Sequence, residues 1–174
     1  MKSDHKKLLY LAALTLSILL ILTSCGYKFA GQGTLPSGLT SIHIAIFENH
    51  SAEIATEHIF TNDLISEFTK NGIKITNRKN ADAVLTGVID AMRISTVSRK
   101  NTSTSLERKI TYVVSTSLAD INGNTIWSDS NISEDEAYNV LPEKAGTAYG
   151  KKTAVSSISK RIAQDIYDRM TQEF

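Results

Sequence analysis

The chain has 174 residues, one cysteine and four histidines, and its nineteen Lys and Arg nearly balance eighteen Asp and Glu for a formal net charge of +1. That balance excludes bulk electrostatic attraction to nucleic acid. The single cysteine excludes an intrachain disulfide and any metal cluster held by this chain's thiols alone.

Lys2, Lys6 and Lys7 precede an uncharged apolar run from Leu8 to Leu22 (LLYLAALTLSILLIL), which leads into Thr23, Ser24 and Cys25. A positive head, an apolar stretch of about 7–15 residues and small residues behind it make the order of a secretory signal. A spanning helix needs about 20 apolar residues, more than this run supplies. Leu22-Thr23-Ser24-Cys25 resembles the lipobox of bacterial lipoproteins. The resemblance implies that residues 1–24 are cut away as a signal peptide and that Cys25 is acylated through its sulfur and then on its freed amine. Several acyl chains hold a bilayer where one chain is marginal. The mature chain then has about 150 residues, sixteen basic and seventeen acidic, the size of one ordinary domain.

Gly26 to Thr40 (GYKFAGQGTLPSGLT) is rich in Gly, Ser and Thr and reads as a tether, so that residues 25–40 carry the lipid and residues 41–174 form a single domain. Thr40 to Phe47 (TSIHIAIF) alternates, which predicts a half-buried strand with Ile42, Ile44 and Ile46 inward and His43 outward. Asn49, His50 and Ser51 interrupt it and offer caps for a helix start. Over Ala52–Asn71, Phe60, Leu64, Ile65 and Phe68 fall at helical spacing, and Gly72 stands where a left-handed C-cap is wanted. A short strand over Ile73–Thr76 and a turn over Asn77–Asp82 follow.

Ala83–Val97 and Leu106–Ile121 are rich in Val, Ile, Thr and Tyr and flank a polar loop. Asn122-Gly123 predicts a type I′ hairpin into a partner strand over Thr125–Ser133, completing an antiparallel meander. Glu134–Ala145 reads as acidic and then irregular around Pro142. From Thr147 to Glu173 a stripe of Val155, Ile158, Ile162, Ala163, Ile166 and Met170 predicts a long helix. Its other side, Lys160, Arg161, Gln164, Asp165, Asp168 and Arg169, reads as solvated. Two helices with one apolar stripe each, and a mostly antiparallel sheet of four to five strands with one apolar face, are buried most simply as a two-layer α+β sandwich with both helices on one face.

No catalytic constellation emerges. His43, His50 and His58 lack ligand spacing for zinc. Gly31-Gln32-Gly33 begins a dinucleotide pattern that Pro36 breaks, and Gly146–Lys152 (GTAYGKK) lacks the spacing and the hydroxyl of a phosphate loop. No Gly-x-Ser-x-Gly elbow occurs, and Glu134, Asp135 and Glu136 stand side by side rather than as an acid/base pair. Neither a cofactor nor enzymatic turnover is expected. One cluster carries binding chemistry: Arg93, Arg99, Lys100, Arg108 and Lys109, set among Ser and Thr around the tip of the first long hairpin, can meet phosphates through forked and neutral donors.

Cys25-Gly26-Tyr27-Lys28-Phe29, Leu35-Pro36, Ile42–Asn49 (IHIAIFEN), Ala81–Ile89 (ADAVLTGVI) and Asn122–Asp129 (NGNTIWSD), taken in this order, resemble the lipopolysaccharide-assembly lipoproteins of the LptE family. Membership implies an outer-membrane lipoprotein on the periplasmic face, which plugs and helps assemble the β-barrel LptD and meets lipopolysaccharide on its way to the outer leaflet. Gly26 behind the cysteine, rather than Asp, resembles lipoproteins sorted outward. The resemblance carries no lipid-contact residue to a position here, so the basic tip rests on charge and location. IAIFEN before a helix is also loosely similar to the TolB amino-terminal and CsgG-like domains, which would imply a scaffold lipoprotein of a secretion or envelope complex instead.

Overall fold

The computed structural model describes residues 34–99 and 106–172, with the side chains of residues 98, 99 and 172 left aside. The expected signal segment, Cys25, the first part of the expected tether and Lys100 lie outside the described residues. The elements run β1 (Ser41–Ile44), β2 (Glu48–Asn49), α1 (Thr56–Lys70), β3 (Lys74–Ile75), β4 (Ala83–Arg99), β5 (Leu106–Asp120), β6 (Thr125–Val140) and α2 (Lys144–Gln172). A 3₁₀ turn over Pro36–Gly38 precedes β1, and Leu35 and Pro36 are already buried.

The sheet has six strands in the order β3-β1-β4-β5-β6, with β2 beside β4 further along the same edge. It is mixed, which corrects the expectation of a mostly antiparallel sheet of four to five strands. β1 pairs in parallel with β3 and with β4, and β2 with β4, while β4, β5 and β6 pair antiparallel. The parallel part follows from α1, which crosses over between β1 and β3. The chain after β1 and after β2 stays docked along β4 through Ala45 N–H to Leu85 O and His50 N–H to Ile89 O, respectively. β2 and β3 hold two residues each, too few to show alternation in a sequence.

Both helices lie on one face, as expected. Phe60, Leu64 and Phe68 of α1 and Val155, Ile158, Ile162, Ile166 and Met170 of α2 share one core with Leu85, Ile89, Ile110, Tyr112, Val114, Leu118 and Ile132 of the sheet. Phe60 meets Tyr112 at 5.1 Å, and Phe68 stands edge-on to Tyr167 at 5.3 Å. Gly72 takes φ +81°, its N–H donating to Thr69 O and the Ile73 N–H to Phe68 O, the paired bonds of a Schellman ending.

Several local expectations change. Ile46 is 63% exposed, because β1 ends at Ile44 and the period of two ends with it. The helix starts at Thr56, after Ala55 at φ 67° with no side-chain cap. Asn49 and Ser51 fold the preceding loop instead: Asn49 Oδ1 accepts from the Ser51 N–H and hydroxyl, and Asn49 Nδ2 donates to Glu53 O. The β5–β6 turn is not type I′, since only Gly123 has positive φ and Asn122 does not. Gly123 N–H donates to Asp120 O, and the Asp120 carboxylate accepts from Asn122 N–H and Asn124 N–H. That is a type I turn followed by a left-handed glycine, the longer hairpin form.

Bulges set which residues face inward. The register slips between Ile89 and Ala91, and since side chains alternate along a strand, the extra residue turns Met92 and Ile94 to the helix side and Arg93 away from it. β6 does the same around Asn131 at φ 62°, putting Ile132 on the inner side along with Trp127.

Two contacts pin the parallel edge. One oxygen of Asp82 accepts from the N–H groups and hydroxyls of both Thr40 and Ser41 at 2.8–3.0 Å, tying the end of the tether to the start of β4. The Thr40 hydroxyl first, then the other three donors, hold the Asp82 carboxyl at about 2, below its ordinary 3.8. A depressed carboxyl stabilises the fold above its unfolded pKa and loses that contribution as pH falls through the folded one. Wild type should therefore lose stability between pH 3.8 and about 2 along a steeper slope than Asp82→Asn; parallel slopes in acid denaturation would count against the contact. At the second contact, a Cβ added to Gly87 would lie 2.1 Å from Phe47 Cζ, so the ring packs directly on bare backbone. Gly87→Ala should destabilise by roughly 1–3 kcal/mol through overpacking, and Phe47→Ala in the same chain should relieve part of it. Additive urea midpoints in the double variant would show that the two residues do not touch.

Candidate interaction surface

With both helices on one side, the other face of β4, β5 and β6 is bare among the described residues. It carries Thr86, Val88 and Asp90, then Thr111, Val113, Ser115 and Ser117, then Ser128, Ser133 and Asp135, all exposed or half-buried. Small β-branched and hydroxyl side chains keep this face level. Its few polar reaches are local: the Ser115 hydroxyl donates to Asp90 at 2.6 Å, and the Thr86 hydroxyl donates to Ser117 O at 3.2 Å. The surface offers many short donors and acceptors.

The far end of the β4–β5 hairpin holds the basic residues. Directly opposed residues share a face, and Arg93 opposes Thr111 while Ser95 opposes Lys109. Arg93 and Lys109 therefore stand together on the bare face. Lys109 pairs with Asp135 at 3.4 Å with both side chains exposed, a contact worth at most about 1 kcal/mol. Arg108 opposes Thr96 and Tyr138 and falls on the helix side, so the alternation separates it from the other two. Arg99 ends β4; its side chain and Lys100 lie outside the described residues.

A second charged array was not visible in the sequence. β6 continues to Val140, through the stretch expected to be acidic and irregular, so Glu134 and Glu136 stand two apart on one face of a strand and look toward α2. Arg161 Nε donates to Glu134 and Nη1 to Glu136, each at 2.8 Å, and Nη2 donates to Asp135 O at 2.6 Å. One turn pair further along, Arg169 reaches Asp129 at 2.9 Å and Asp165 at 3.2 Å. The side of α2 read as solvated is thus partly a clamp on the edge strand. The Glu134 hydrogen bond foremost, with Glu136 beside it, raises the Arg161 pKa further.

Among the described residues, groups suited to catalysis do not converge. Tyr112 is pushed up to about 12, by burial first and the Glu53 carboxylate second, but it is fully buried in the core. His43 Nδ1 lies 3.0 Å from Thr76 O, bonded to the neighbouring backbone. Among the described residues no three His, Cys, Asp or Glu side chains could hold one metal ion.

A helix pair on one face of a mixed sheet whose other face is open and polar defines a two-layer fold of α+β class. Solved bacterial lipoproteins share this fold. The chain is similar to lipoprotein B of Nitrosomonas europaea (18% identity, TM-score 0.60, covering 85% of this chain and 92% of that one). It is also similar to a minor lipoprotein of Acinetobacter baumannii (17%, 0.56, 77% and 92%) and to rare lipoprotein B of Shewanella oneidensis (19%, 0.52, 73% and 94%). No curated protein sequence matches it. Residues 39–170 match the family described as LptE, Lipopolysaccharide-assembly. The chain belongs to the LptE family, which places it among the envelope lipoproteins of lipopolysaccharide assembly.

Arg161→Ala should lower stability by about 1 kcal/mol, the upper end for exposed pairs because one guanidinium serves two carboxylates. The deficit should shrink in about 1 M salt, where screening reaches within roughly 3 Å. Identical urea midpoints at low salt would remove the clamp from the account.

Proposed function

We propose that this chain is an outer-membrane lipoprotein, cleaved before Cys25 and anchored there on the periplasmic side, that forms a tight complex with the lipopolysaccharide-assembly barrel LptD. It seats inside the barrel as a plug, assists the barrel's assembly, and stands beside lipopolysaccharide as that lipid passes to the outer leaflet. The observation that carries the reading is the bare, polar, level sheet face of a chain belonging to the LptE family. The lumen of an outer-membrane barrel is polar, unlike its lipid-facing wall, and small hydroxyl and charged side chains match it without exposing apolar surface. Shape-complementary insertion suits such a face better than turnover does.

In this reading Arg93 and Lys109, with Arg99, Lys100 and Arg108 nearby, meet the anionic phosphates of lipid A. Arg93 on the bare face and Arg108 on the helix side are both exposed. Forked guanidinium donors suit phosphate oxygens, and Ser95 and Thr96 lie between them in the register.

Solubilised outer membranes should yield this chain together with a barrel of large mass and with lipopolysaccharide. Separate purification of the two proteins, with a barrel that assembles normally in cells lacking this chain, would refute the complex. Replacing Arg99, Lys100, Arg108 and Lys109 together with Ser should leave the complex intact and lower the lipopolysaccharide recovered with it several-fold; unchanged recovery would remove the tip from the lipid path.

A further inference from the structure

We infer that the free edge of β4 between its two bulges, Ala91–Thr96, is a strand-addition site that takes an extended, acid-bearing segment of the partner barrel; the inference rests on the complex proposed above. β4 has neighbours on both sides only along its first half. On the side away from β5, β1 pairs with Ala83–Leu85 and β2 with Val88–Ile89, and the pairing stops there. From Ala91 onward β5 is the single strand beside it among the described residues. Backbone donors and acceptors of that edge therefore face outward at strand spacing, a template that an extended chain completes.

The two long edges of the sheet are treated differently. β6 is blunted: Asn131 kinks it at φ 62°, and Glu134 and Glu136 point inward under Arg161, devices that keep an edge from pairing. Among the described residues the β4 edge has no such cover between the register slips at Ile89/Ala91 and Thr96/Ser98. Beside it Ile94 is 44% and Val97 53% exposed, apolar surface that side chains of an added strand would cover.

Charge selects the occupant. Arg93 stands within the edge stretch and is exposed, Arg99 and Lys100 follow it in the sequence, and no carboxylate lies between Asp90 and Lys100. A second copy pairing on the same edge would set these cations against their own kind, and like charges directly opposed across strands destabilise the pair. A segment with Asp or Glu at alternate positions meets Arg93 favourably.

The test is residue-resolved hydrogen exchange on the full lipoprotein alone and in the detergent-solubilised complex with the co-purified barrel. Amides of Ala91–Thr96 that face β5 are protected in both; the alternate, edge-facing amides should exchange at least about tenfold more slowly in the complex. Edge-facing amides that stay fast in an intact complex overturn the strand-addition site and leave the functional reading standing. Protection that appears in the lipoprotein alone and grows with its concentration also overturns it, in favour of self-pairing. Failure to recover any complex overturns both.

Discussion

Strands of 17, 15 and 16 residues present two long faces, and the described residues hold two α-helices with which to cover them. That constraint governs the rest. One face takes most of the large apolar side chains and both helices; the other is left to Ser, Thr, Val and a few charges. Two of the register slips along the meander serve the same division. The bulge after Ile89 keeps Met92 and Ile94 on the core side, and the bulge at Asn131 does so for Ile132. A slip of one residue without a bulge would turn the whole apolar set to the wrong face. The polarity of the bare face is thus the other half of the way the core is built.

The clamp of Arg161 and Arg169 belongs to the same arrangement. α2 covers an edge strand, and an edge strand with inward carboxylates resists pairing with other chains. Inward carboxylates in turn need partners, and the arginines of α2 supply them. The opposite flank is held by the Asp82 contacts with Thr40 and Ser41 and by the seating of Phe47 on Gly87, which fix where the tether hands over to the domain.

Much of this was legible in the residues. The stripe from Val155 to Met170, the spacing of Phe60, Leu64 and Phe68, and Gly72 at the helix end describe the two helices, because long amphipathic segments repeat their signal many times. The two-residue strands do not repeat it at all, and so the parallel edge and the mixed sheet stayed hidden. Bulges hide for a related reason: they reset the alternation that a reader follows, so that Arg93 looks inward until the slip at Ala91 is seen. Glu134 and Glu136 looked like a polar break because two inward carboxylates in a strand make sense only once an arginine from a distant helix stands over them. Of the basic tip, the residue types were evident in the sequence, but the division of Arg93 and Lys109 from Arg108 depends on register. The family resemblance rested on ordered short motifs spread along the chain, and the match over residues 39–170 covers most of that span.

The central claim is that the bare sheet face meets the wall of a barrel. Photo-reactive side chains placed at Thr111, Ser117 and Ser128, one at a time, in cells carrying the full lipoprotein would test it directly. The account predicts adducts from all three with one large outer-membrane barrel. Correctly anchored and folded variants that give no such adduct, or that label soluble periplasmic proteins instead, would contradict it.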